Sequence, residues 1–129
     1  MQAQRSRDTA PEVTLRRLLH SRGLRFRIHR RIVRGTRRAV DIVFGSAKVA
    51  VDVRGCYWHG HEHDRTRYQR TKNLDYWLPK IAGNRARDAD TERRLREAGW
   101  EVVVVWECED LGLAADHIEA LVRERRRPR

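Results

Sequence analysis

Arg38-Ala39-Val40-Asp41-Ile42-Val43-Phe44-Gly45-Ser46-Ala47-Lys48-Val49-Ala50-Val51-Asp52-Val53-Arg54 carries the reading of the fold. Two short apolar, β-branched runs flank a Gly-Ser break, the signature of adjacent strands joined by a tight turn. The spacing predicts strands over Arg38 to Phe44 and Lys48 to Val53. Each run holds one aspartate, Asp41 and Asp52, in an otherwise apolar setting. A carboxylate there is costly unless it is paired or bound to a metal. The plain alternative is that both face water from an edge strand.

Working outward, residues 24–32 alternate Leu24, Phe26 and Ile28 against Arg25, Arg27 and His29, the period of a half-buried strand. Before it, Leu15, Leu18 and Leu19 share one face of a helix over residues 10–22, with Pro11 in its first turn and Gly23 just past its end. After it, Arg54 to Thr71 lose all periodicity while His, Cys, Trp and Tyr accumulate, and irregular segments of this length are usually functional. A helix is expected from near Pro79 to Ala98 with Gly99 as its stop. A buried strand, Glu101 to Trp106, comes next, then a helix from about Ala114 to Arg125 and a basic tail over 125–129. The first three strands read as an antiparallel meander. The order αβββαβα is an α/β arrangement with a mixed sheet flanked by helices, the core order of restriction-endonuclease-like folds.

The chain has 129 residues, room for one domain of the usual about 100 to 150 residues. Its formal charge is +11, which favours a polyanionic partner whose counterions are released on binding. A ribosomal-type scaffold or a membrane-surface protein would share that charge. No apolar run approaches the roughly 18 residues of a membrane span, and Met1 to Ala10 lacks the apolar middle of a signal peptide. The expectation is a cytoplasmic protein without a membrane partner. In a reducing compartment Cys56 and Cys108 are metal ligands or free thiols rather than a disulfide.

Cys56, His61, His63 and Cys108 supply two thiolates and two imidazoles, the donor set of a closed tetrahedral zinc site. Such a site would tie a loop of low apolar content to the end of the last strand, turning metal-binding energy into folding energy. Otherwise the cysteines are unrelated and the histidines merely solvated. Asp41 and Asp52 suit a different ion, since Mg²⁺ takes oxygen donors and assists phosphodiester hydrolysis. Their spacing is like the D…D-x-K pattern of metal-dependent nucleases (PD-(D/E)xK), with Arg54 in the lysine position. Arginine stays charged at neutral pH and cannot act as the general base. His59 is the natural candidate, with Asp88 available to orient it.

The segment Val53-Arg54-Gly55-Cys56-Tyr57-Trp58-His59-Gly60-His61-Glu62-His63 resembles the very short patch repair (Vsr) DNA mismatch endonucleases. So do Asn73, Trp77, Lys80-Ile81, Asn84, Arg87-Asp88, Gly99-Trp100 and Val105-Trp106-Glu107-Cys108, and upstream Arg7-Asp8-Thr9-Ala10-Pro11-Glu12. The resemblance spans roughly residues 1–110. It implies that Asp41 is the principal Mg²⁺ ligand, helped by the Val53 backbone carbonyl, with Asp52 beside it and Glu12 approaching the metal waters. It also implies that His59, held by Asp88, activates water, and that Cys56, His61, His63 and Cys108 bind structural Zn²⁺. Tyr57, Trp58 and Trp77 would wedge into the duplex beside a mispair, where unstacking is easier. Lys80 and Asn84 would contact bases or phosphates there, while Trp100 and Trp106 are core residues.

The implied activity is Mg²⁺-dependent nicking of double-stranded DNA 5′ to the mispaired thymine of a T:G mismatch. Mismatch-repair proteins are the implied partners, and the implied state is a monomer. Three departures stand out. Met1 falls near the point where an N-terminal arm joins the core in relatives. Valine occupies position 53 where threonine is familiar, and Arg37-Arg38-Ala39-Val40 replaces a Gly, Arg and Pro run. These departures keep two alternatives in view: a related nicking or restriction/defence endonuclease acting on another DNA feature, and a catalytically silent, zinc-stabilised DNA-binding module.

Overall fold

Val40–Phe44 and Val49–Arg54 form the two inner strands of a four-stranded sheet in the computed structural model, which describes residues 8–55 and 74–126, side chains of 74–78 excepted. Helix α1 (Ala10–Ser21) precedes strand β1 (Arg27–Arg30), and β2 and β3 are the two inner strands. Helix α2 (Leu74–Glu97), strand β4 (Glu101–Trp106) and helix α3 (Leu111–Arg125) follow. The sheet order is β1-β2-β3-β4. β1 and β2 are antiparallel, as are β2 and β3, while β3 and β4 are parallel. A parallel pair requires a crossover, and α2 supplies it.

Helices cover both faces of the sheet, which is why β2 and β3 are apolar without strict alternation. On one face Leu15 and Leu19 of α1 and Ala115, Ile118 and Val122 of α3 pack on Ile42, Phe44, Val49, Val51 and Val105. On the other, Leu95 of α2 closes over Val33, Val40, Val43 and Ala50. The described residues form a mixed α/β fold with a mixed sheet and three helices. Among the described residues no helix is long and apolar enough to cross a membrane.

Several expected boundaries move, and β2 starts at Val40 rather than Arg38. α2 begins well before Pro79, which lies inside the helix; only the bond from position 79 to the Asp75 carbonyl is forfeited, and the remaining turns outweigh that local loss. α3 begins at Leu111 because Asp110 caps it, its side chain accepting from the Leu113 N–H at 3.1 Å. The first strand is only Arg27–Arg30, and its alternation fails at the centre. Ile28 is 40% exposed, whereas His29 is half-buried with φ of +52°. A left-handed residue within a strand reverses which side chain faces inward.

Gly99 ends α2 as expected, at φ of +90°. Of the two tryptophans assigned to the core, Trp100 packs half-buried against the Leu95 cluster, and Trp106 is half-buried beneath Arg54.

Candidate active site

Asp41 is the second residue of β2 and Asp52 the fourth of β3. The antiparallel register pairs Ile42 with Val51, so the next step brings Asp41 opposite Asp52. β2 is an inner strand, and Asp41 is only 7% exposed, which removes the reading of a water-facing edge aspartate. Its Oδ2 accepts a hydrogen bond from the Val53 backbone N–H at 2.8 Å. Burial, then the charge of Asp52 and a hydrogen bond to it, with a contribution from Glu12, push the Asp41 carboxyl up to about 9, against the opposing pull of the Val53 N–H.

Three carboxylates converging in a low-dielectric place call for a proton or a cation, and hard oxygen donors suit Mg²⁺. The Arg54 carbonyl accepts from the Glu107 N–H on the β4 side at 2.9 Å. Carbonyls alternate along a strand, so the Val53 carbonyl is aimed at the β2 side, where Asp41 lies. The donor set therefore fits the ion.

Glu12 reaches the cluster from α1 and is 1% exposed. Burial is tolerated because three donors surround it. Its Oε1 accepts from the Asp8 backbone N–H at 3.2 Å, and its Oε2 meets Arg16 Nη1 at 2.9 Å and His29 Nε2 at 2.7 Å. Potential ligand atoms of Asp8, Glu12 and His29 lie within 4.8 Å of one another, a set that could hold a metal ion. Arg16 already supplies positive charge to Asp8 and Glu12 there. His29 falls between the pairs Ile28–Ile42 and Arg30–Val40, facing Asp41 across the sheet.

His29 was read from sequence as an outward strand residue; no pattern in a single sequence announces a left-handed φ. Asparagine tolerates that conformation better than alanine. His29→Asn should therefore isolate the loss of the bond to Glu12, lowering stability by about 1–3 kcal/mol in denaturant unfolding. An unchanged midpoint would show that the bond contributes nothing.

Arg54 is the second structural feature that sequence reasoning missed. It is 6% exposed; its Nε lies 2.9 Å from Asp52 Oδ2 and its Nη2 2.8 Å from Glu92 Oε2, with Asp88 3.6 Å away. The guanidinium sits 5.9 Å from the centre of the Trp106 ring. Burial works against its charge, but Asp52, Asp88 and Glu92 outweigh that and hold its pKa above the ordinary value. Arg54 thus binds β3 to α2 and stands between Asp52 and Asp88.

Nearby, Asp90 accepts from Arg38, Arg94 and Arg93, which holds its carboxyl well below the usual range and ties the segment before β2 to α2.

Lys80 and Asn84 lie one turn apart on α2, with Asn84 Oδ1 accepting from Arg87 Nη1 at 3.0 Å. Trp77 lies within α2, but its side chain is outside the described set. Cys56, Tyr57, Trp58, His59, His61 and His63 also lie outside the described residues. Cys108 is exposed in the turn after β4.

The family model for DNA mismatch endonuclease Vsr matches residues 1–65. The type II nicking enzyme V.XorIIP of Xanthomonas oryzae pv. oryzae is 50% identical over 114 residues, covering 87% of this chain and 81% of the relative. The type II nicking enzyme V.NmeAIP of Neisseria meningitidis is 36% identical over 124 residues, covering 92% and 84%. The DNA mismatch endonuclease Vsr of Escherichia coli is 37% identical over 108 residues, covering 84% and 67%.

Proposed function

Because the chain belongs to the DNA mismatch endonuclease Vsr family and is a DNA endonuclease, we propose that it is a Mg²⁺-dependent enzyme nicking double-stranded DNA 5′ to the mispaired thymine of a T:G mismatch, in very short patch mismatch repair. The observation that carries the metal-dependent hydrolysis is the buried Asp41 beside Asp52, gripped by the Val53 N–H and approached by Glu12, while the T:G trigger is supported by the likeness to the Escherichia coli mismatch endonuclease. Asp41 and the Val53 carbonyl would hold the ion, with Asp52 and Glu12 setting the negative charge around that place. Mg²⁺, when bound, supplies Lewis-acid stabilisation of charge on the phosphoryl oxygens. His59 takes the proton of the attacking water and Asp88 orients it. Tyr57, Trp58 and Trp77 enter the duplex, and Lys80 and Asn84 read the DNA beside them. The fold reading is a single domain over 1–129 with a restriction-endonuclease-like core, a cytoplasmic monomer working alongside mismatch-repair proteins.

Cys56, His61, His63 and Cys108 would hold a structural zinc that ties residues 56–63 to the end of β4. Arg54 pairs with Trp106 in the parallel register, and Cys56 and Cys108 each follow two residues later in sequence, which supports a shared site. Metal analysis should find about one zinc per chain, and Cys108→Ser should lose it; zinc-free native protein would refute the site.

A second reading keeps the same chemistry but changes the trigger to another DNA feature, a specific or modified sequence. Its support is that relatives at 50% and 36% identity are named type II nicking enzymes. A Mg²⁺-dependent assay comparing T:G-mismatched, matched and modified duplexes separates the two. Preferential nicking 5′ to the mispaired thymine supports the first reading, and equal cleavage of matched duplex rejects it. The catalytically silent alternative is set aside, since the chain is an endonuclease.

A further inference from the structure

Arg93 and Arg96 of α2 and Arg123 of α3 are tied to carboxylates one turn away. Arg17 on α1 and Arg27 and Arg30 on β1 are exposed and make no ion pair among the described residues. All three line one open groove of about 870 Å³ between α1 and β1, together with His20. Arg16 and His29 also line it, and both hold Glu12, so the groove runs up to the wall of the carboxylate cluster. Its outer side is an edge strand among the described residues, where β1 pairs with β2 alone.

Unpaired arginines at this density repel one another unless something anionic lies between them. A guanidinium fork fits phosphate oxygens two at a time. A nearby ion pair would compete for that fork, and Arg17, Arg27 and Arg30 carry none among the described residues. We propose that the α1–β1 groove is a track for the sugar–phosphate backbone of duplex DNA, holding the flank of the substrate beside the carboxylate cluster. The inference rests on the chain being a DNA endonuclease and holds for either trigger. It is distinct from the contacts assigned to Tyr57, Trp58, Trp77, Lys80 and Asn84, which address the duplex at the mispair itself.

Phosphate contacts appear as salt dependence, each adding about 0.9 to the slope of log affinity against log salt. The test is binding of matched duplex without Mg²⁺ across a salt series by native protein, by Arg17→Ala/Arg27→Ala/Arg30→Ala, and by Arg93→Ala/Arg96→Ala/Arg123→Ala. Both variants lose three positive charges, so net charge alone cannot separate them. The groove variant should lower the slope by about 2.7 and raise Kd about tenfold or more near physiological salt, with the helix variant close to native. Arg17, Arg27 and Arg30 are exposed and make no ion pair among the described residues, so the thermal melt of that variant should match native. Should the melt shift, the single variant Arg27→Ala is read instead, with a slope change of about 0.9. An unchanged slope in the groove variant, or equal losses in both triple variants, overturns the inference. If T:G duplex is not preferred but the groove variant alone loses slope, the trigger reading fails and the track stands.

Discussion

Asp41→Asn should slow Mg²⁺-dependent nicking by about a thousandfold or more while leaving duplex binding near native. Asparagine keeps the size of the side chain and can still accept from the Val53 N–H, now 2.8 Å from Oδ2, so the fold has no reason to rearrange. What disappears is the anionic donor at the centre of the cluster. Metal assistance to phosphodiester hydrolysis is worth several kcal/mol of transition-state stabilisation, and each 1.36 kcal/mol is tenfold in rate. Binding is retained because the protein stays strongly basic, with a formal charge of +11 before the change. Single-turnover nicking measured beside duplex affinity separates the two effects; a parallel loss of both would mean that the variant is misfolded or that Asp41 serves binding.

The same substitution carries a stability signature with a definite sign. The metal-free folded state holds a proton on Asp41 up to about 9, whereas the unfolded chain releases it near 3.8. Between those values the folded state binds more protons, so this group's stabilising contribution is full below about pH 4 and is lost as pH rises through 9. Asp41→Asn should flatten that decline, making the metal-free variant more stable than native protein at pH 8 to 9. Melting curves across pH in the presence of a chelator read this directly.

Arg54→Met should be the most destabilising single change near the site. Methionine fills much of the same space but removes the cation around which Asp52, Asp88 and Glu92 gather. Breaking a buried ion pair by deleting one partner typically costs about 3–5 kcal/mol, which corresponds to roughly 10 °C or more in Tm for a chain of this size. The cation-π contact with Trp106 is lost as well. Arg54→Lys should recover only part of the loss, because a single ammonium cannot span Asp52 and Glu92 as the guanidinium fork does. Native-like stability of Arg54→Met would mean that the carboxylates find other cations and that Arg54 does not organise the site.

The strands were legible because β2, β3 and β4 are short β-branched runs bounded by breaks, and the two inner aspartates were conspicuous for interrupting them. Their pairing followed from a turn only four residues long, Gly45 to Lys48. Helix starts were less legible. Pro79 looks like a first-turn residue, and only the surrounding structure shows that the helix absorbs it. α3 starts three residues ahead of Ala114, where Asp110 accepts from the Leu113 N–H. At β1 the alternating arginines pointed His29 outward, and a backbone conformation invisible in sequence turns it onto Glu12.

Arg54 illustrates a second limit. Its chemistry excluded a general-base role, but Glu92 lies 38 residues away, and only the crossover of α2 over the sheet brings the two together. Long-range pairing of charged side chains leaves no periodic trace, whereas apolar periodicity does.

The central claim, that a buried Asp41 must lose its proton to receive Mg²⁺, is tested most directly by the Mg²⁺ concentration giving half-maximal nicking, measured from pH 7 to 9.5. Metal binds the carboxylate form, so protonation competes with it. Half-saturation should fall steeply with rising pH, approaching tenfold per unit, and level off near the value of about 9 at which Asp41 ionises. A half-saturating concentration that stays flat across this range would contradict the account.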